Sequence, residues 1–159
     1  MSNRVNAMQQ SPELFKKFMA MSLATKDASI EEALGDLVAI RTAQMNGCAF
    51  CLDMHVKQAT MRGERALRLH HVAIWRESQL FSNRERAALA WTEVLTFLPA
   101  HGVPDDIYER VRGELSEKEI SDLSFIIMVN NGWNRLNCGF QTTPGSADKA
   151  FGLDKAGLN

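Results

Sequence analysis

Residues 30–63 read IEEALGDLVAIRTAQMNGCAFCLDMHVKQATMRG, two helical patterns on either side of one reversal. Ile30, Leu34, Leu37 and Val38 recur at i, i+4, i+7 and i+8, the spacing of one face of an amphipathic helix, which predicts a helix over about 30–45. Asn46-Gly47 breaks that pattern with two turn-forming residues. A second helix is predicted over 48–62, with Leu52, Val56 and Ala59 on one stripe and Gly63 just past its end, where glycine adopts a left-handed conformation cheaply. Cys48 and Cys51 then fall in the first turn of that helix.

The same period runs outward in both directions. Ser11-Pro12 predicts a helix start, since proline at the first helical position gives up an amide that would be unpaired anyway, and Leu14, Phe18 and Met21 form its expected buried stripe. Further helices are predicted over 64–75, 83–98, 104–115 and 117–140, the last stopping before Thr143-Pro144-Gly145. Ser29 with Glu32, Ser82 with Glu85 and Ser116 with Glu119 have the spacing of capping boxes. No stretch alternates as a half-buried strand does. The reading is an all-α fold of about six to seven helices, a single domain over 1–159 with its core over 12–145. The Gly-, Ala- and Asp-rich tail at 146–159 is expected to be frayed or used in subunit contacts.

A chain of 159 residues, 45% of them apolar, can bury a core without disulfide or metal staples. A net charge of −1 and the lack of a Lys/Arg block give no electrostatic reason to expect nucleic acid or an anionic membrane as partner. No run approaches the roughly 20 apolar residues of a membrane span, and the N-terminus lacks the pattern of a signal peptide. The expected location is cytoplasmic. There three cysteines do not make a stable disulfide framework, so a close pair is better explained as catalytic, redox-active or metal-binding.

On a helix, residues three and four apart are neighbours, so Cys48, Cys51 and His55 share one face. An i, i+3 pair has Cα atoms close enough to form a disulfide. A helix N-terminus favours the thiolate, and a histidine one turn away can take the proton. Two other readings stand beside this redox site. Structural zinc wants four ligands, and the fourth would have to come from Asp36, His70, His71 or Cys138. Buried cysteines are also common as small inert hydrophobes.

The segments AIRTAQMNGCAFCLDMHVKQATMRGE (39–64), WRESQLFSNRERAALAWTEVLT (75–96) and NNGWNRLNCGF (130–140) resemble the carboxymuconolactone decarboxylase and alkyl hydroperoxidase D superfamily, in its CxxCxxxH branch. The resemblance covers about residues 12–145. It implies an all-helical AhpD-like fold, assembly as homotrimers or trimer-based hexamers, and reduction of peroxides through the cysteine pair. Cys51 would be the peroxidatic nucleophile, and Cys48 its proton donor and resolving partner, exposed to the reductant. His55 matches the relay histidine. The acidic relay residue, usually Glu, falls twelve positions before the first cysteine and is Asp36 here, one methylene shorter. Phe50 stands between the cysteines where the best-known peroxidase members have histidine. No cofactor or metal is implied; the substrate would be a small peroxide and the partner an external dithiol or lipoyl-type reductant.

Outside the motif, His70 and His71 read as surface or interface polar groups. Trp75, Trp91 and Trp133 read as core or subunit-interface anchors, and Cys138 as a buried small residue. Trp133, Asn134, Arg135 and Asn137 are expected at a pocket mouth. The leading functional expectation is a thiol peroxidase, with a non-enzymatic redox-sensing or assembly module as the alternative. Decarboxylation of a lactone acid ranks third, since that chemistry requires no thiol pair.

Overall fold

The computed structural model describes residues 4–158. Among them there are nine α-helices and no strand: α1 (Ala7–Gln10), α2 (Pro12–Ala24), α3 (Glu32–Asn46), α4 (Ala49–Met61), α5 (Ala66–His71), α6 (Asn83–Thr96), α7 (Asp105–Arg112), α8 (Glu117–Phe140) and α9 (Asp148–Phe151). The excess over six or seven comes from the one-turn helices α1 and α9, whose four residues each are too few for a periodicity to register.

The central element is α3. Leu37, Val38, Ala39 and Ile40 are buried in succession, so the helix is enclosed around its circumference and not along one stripe. On one side Leu34 and Val38 join Trp91, Leu123 and Ile127 of α6 and α8. On the other, Leu37 and Ile40 join Ala59, Val72, Trp75 and Leu89. Trp75 and Trp91 are core residues, and each indole N–H is satisfied, at 2.8 Å by Glu93 and at 2.9 Å by Ser124.

Two of the three capping boxes form. Ser82 caps α6 and Ser116 caps α8, each with its reciprocal glutamate. The third does not: Glu31 is the N-cap of α3, because the Ser29 amide and hydroxyl both donate to Asp122 Oδ2 on α8 at 2.7 Å. A tertiary acceptor has outcompeted the local one.

The stripe expected on α2 is not buried. No α2 residue reaches the core and Leu14 is 70% exposed, because α2 meets the rest of the fold chiefly where Phe15 and Phe18 pack on Trp133 of α8, with ring centroids 5.3 and 4.6 Å away. The C-terminal tail differs from expectation in the opposite sense. It folds back on α4, where Leu153 is buried and Asp148 pairs with Lys57 at 2.7 Å. Asp53 completes this clamp, accepting from Lys57 Nζ at 2.9 Å and from the Gly145 amide at 3.1 Å. The tail thus has an ionic anchor that its composition does not advertise.

Replacing Ser82 by Ala removes the hydroxyl that accepts from the Glu85 amide and should cost about 1 kcal/mol of unfolding free energy, measured by urea titration. An unchanged midpoint would show that the box contributes nothing to α6.

Candidate active site

The site is built on the reversal between α3 and α4. Gly47 is left-handed at φ 65°, closing α3 and turning the chain so that Cys48 becomes the N-cap of α4. The Cys48 sulfur accepts from the Cys51 amide at 3.3 Å, the place a serine or aspartate oxygen would take in an ordinary cap. Cys48 and Cys51 are joined as a disulfide, with Cα atoms 5.3 Å apart. That separation lies within the usual range for a disulfide.

Both cysteines are buried, at 2% and 1% exposure. Cys48 therefore does not stand open to a reductant as expected. Cys48 borders a pocket of about 210 Å³, shared with Ala49, Phe50, Asn137, Cys138 and Gln141. Phe50, between the cysteines, gives the pocket an apolar wall. A larger pocket of about 310 Å³, lined by Met21, Ala24 and Phe125, has no cysteine or histidine in its wall.

A row of amides on α8 faces the motif. Asn137 donates to Cys51 Sγ at 3.6 Å. Asn46, at the end of α3, donates to the Oδ1 atoms of Asn131 at 2.9 Å and Asn134 at 3.0 Å, fixing the turn to α8. Asn130 lies close enough to His55 to influence its protonation. Of Trp133, Asn134, Arg135 and Asn137, expected at a pocket mouth, only Asn137 lines the pocket beside Cys48 and Asn134 is fully buried; Asn130, Asn131 and the anchoring role of Asn46 were not expected. The missed signal is the spacing of Asn130, Asn134 and Asn137, which puts three amides on one face of an otherwise apolar helix.

His55 follows Cys51 by one turn, but its Nδ1 meets Gln58 Oε1 at 3.0 Å and not a sulfur. Burial pushes its pKa down to about 4; the Arg62 guanidinium adds to the shift, and the bond to Gln58 and the neighbouring Asn130 side chain oppose it. The imidazole is thus neutral at neutral pH, able to accept a proton though weakly basic.

Asp36 is not brought to the cysteines. It stands ten residues before Asn46 on the continuous helix α3, about 15 Å of rise away. Because α4 runs back along α3, Asp36 meets the far end of that helix and binds Arg62 at 2.5 Å. Burial raises its pKa against the opposing pull of Arg62. The carboxylate is thus engaged by Arg62 and makes no hydrogen bond to either cysteine. His70 is exposed and His71 bonds Ser78 at 3.0 Å on α5, so neither is placed as a partner of the motif. Cys138 is exposed, not buried, because it sits on the pocket side of the last turn of α8. Among the described residues no three His, Cys, Asp or Glu side chains converge as a metal site.

Fold and site together define an all-helical protein that carries a Cys48–Cys51 disulfide at a helix start. The chain belongs to the carboxymuconolactone decarboxylase family, whose model matches residues 12–94. The uncharacterized protein YdfG of Bacillus subtilis is 42% identical over 137 residues, 86% of this chain and 93% of that protein. A crystal structure of a protein of unknown function from Agrobacterium tumefaciens, described as a candidate antioxidant defence protein AhpD, superposes with a TM-score of 0.86 at 35% identity, over 91% of this chain and 98% of that one. The debrominase Bmp8 shares the fold at a TM-score of 0.79 with 22% identity, over 94% and 80% of the two chains. No helix among the described residues is long and apolar enough to cross a membrane.

The unfolded chain protonates His55 near pH 6.5 and the folded chain only near 4, so the unfolded state binds the proton first as pH falls. His55 therefore contributes stability that is present above about pH 6.5 and is lost on acidification toward about pH 4. The stability difference between wild type and His55→Gln should shift against the wild type across that window, as read by urea unfolding at stepped pH. A difference independent of pH would contradict the low pKa.

Proposed function

We propose that this protein is a thiol peroxidase that cycles Cys48 and Cys51 between dithiol and disulfide. The observation that carries the reading is the disulfide itself, formed between a helix N-cap and the N3 position on an AhpD-like scaffold. The amides of that first turn and the positive end of the α4 dipole favour a thiolate, and the Asn137 amide adds a donor at Cys51 Sγ.

In the proposed cycle the Cys51 thiolate attacks one peroxide oxygen. The O–O bond breaks, the alcohol or water leaves with a proton, and Cys51 becomes a sulfenic acid. His55, neutral and one turn away, is the proton acceptor that assists formation of the thiolate. The Cys48 thiol then attacks the Cys51 sulfur, the S–O bond breaks and water departs, leaving the disulfide. An external dithiol, lipoyl-type groups included, restores the pair by two successive exchanges. Asp36 is ion-paired with Arg62, and the proposed cycle does not call on it.

The protein acts as a homo-oligomer in this reading, trimeric or hexameric. Support comes from the apolar side chains left open along α2 and α8: Leu14 at 70%, Leu23 at 52%, and Phe125 and Met128 at 50% exposure. The lyase activity in the family's name gives no role to a paired thiol. A purely sensory disulfide would form without turnover, so catalysis separates the two remaining readings.

Cys51→Ser should bring dithiol-dependent peroxide turnover down to the background rate while far-ultraviolet circular dichroism retains the helical spectrum. Turnover at the wild-type rate in that variant would overturn the proposal.

A further inference from the structure

The buried disulfide raises a question of access. Cys48 and Cys51 are 2% and 1% exposed, yet a pair that is reused must meet a reductant. The third sulfur stands where that meeting would occur. Cys138 is exposed, and it shares the wall of the 210 Å³ pocket with Cys48. Its Sγ–H donates to the Asn46 carbonyl at 3.8 Å, which aims the sulfur at the turn that carries Cys48. The preceding residue, Asn137, has its amide 3.6 Å from Cys51 Sγ. One turn of α8 thus places a thiol in the same pocket wall as Cys48 and a hydrogen-bond donor on Cys51 Sγ.

From this we infer that Cys138 is an exchange thiol that carries reducing equivalents from solvent to the buried Cys48–Cys51 pair. The role deepens the redox reading above and rests on it. In the first step the Cys138 thiolate, its proton lost to solvent, attacks Cys48 Sγ. A Cys48–Cys138 disulfide forms, the Cys48–Cys51 bond breaks, and Cys51 leaves as a thiolate. The Asn137 donor and the first-turn amides of α4 receive that charge. No net redox change has occurred.

The new disulfide has one sulfur at the surface. One thiolate of an external dithiol attacks Cys138 Sγ, releasing Cys48 as a thiolate and forming a mixed disulfide with Cys138. The second thiol of the reductant then attacks its own sulfur in that mixed disulfide, closing the oxidised reductant and freeing Cys138. Two electrons pass from the dithiol to the protein, and the released thiolates at Cys48 and Cys51 are protonated or held for the next cycle. The surface position of Cys138 spares the reductant from reaching the buried pair directly.

Two measurements test the inference. In Cys51→Ser, oxidised with diamide and digested without reduction, mass spectrometry should find Cys48 bridged to Cys138. In full-length protein carrying Cys138→Ser, an exposed and structurally mild change, reduction of the Cys48–Cys51 disulfide by dihydrolipoamide should slow by about tenfold relative to wild type. Failure to form the Cys48–Cys138 bridge, or an unchanged reduction rate in Cys138→Ser, overturns the inference. Neither readout involves peroxide, so loss of the peroxidase reading and loss of this one are told apart.

Discussion

The left-handed turn at Gly47 is the constraint on which the rest of the site depends. At φ 65° a residue with a Cβ is strained by roughly 1 kcal/mol or more, whereas glycine is not. Because α3 is enclosed on all sides, it cannot shift to accommodate a different turn. The position of Gly47 therefore fixes where α4 begins, and with it the two sulfurs at the N-cap and N3 positions. Asn46, bonded to Asn131 and Asn134, secures the same turn to α8. The two sulfurs are thereby held together as a disulfide on a backbone fixed at both ends.

The surroundings of that turn are rich in amides and poor in acids. Asp36 is spent on Arg62 at the far end of the hairpin, and His55 is held neutral by burial. What remains near the sulfurs is a helix N-terminus, the Asn137 side chain and an apolar wall at Phe50. In the proposed cycle, thiolate character would rest more on fixed dipoles than on a carboxylate relay. A departure of one methylene, Asp for Glu, goes with a carboxylate that is engaged by Arg62 in place of a cysteine.

The sequence made the local features legible and left the tertiary ones obscure. The bounds of α8 were readable because Ser116 and Glu119 cap one end and a Thr-Pro-Gly turn follows the other. The hairpin and the place of both cysteines were readable because Asn-Gly punctuates two helical periods. Ser29 misled, since its spacing to Glu32 suits a box but Asp122, 93 residues away, holds it instead. Periodicity named one face of α3 when all its faces are covered, because a stripe shows what must be buried and not what else is. Cys138 reads as a small buried residue by its type alone, and its position in the last turn of α8 exposes it. The tail looked loose because its anchor, Asp148 on Lys57, joins residues 91 apart.

The central claim is that the pair reacts with a two-electron oxidant through Cys51. The most direct measurement treats the fully reduced protein with stoichiometric peroxide and maps every cysteine by mass spectrometry, with and without a sulfenic-acid trap. The account predicts trapped label on Cys51, replaced by a Cys48–Cys51 disulfide when the trap is left out. Label confined to another cysteine, or thiols that remain unmodified, would contradict it.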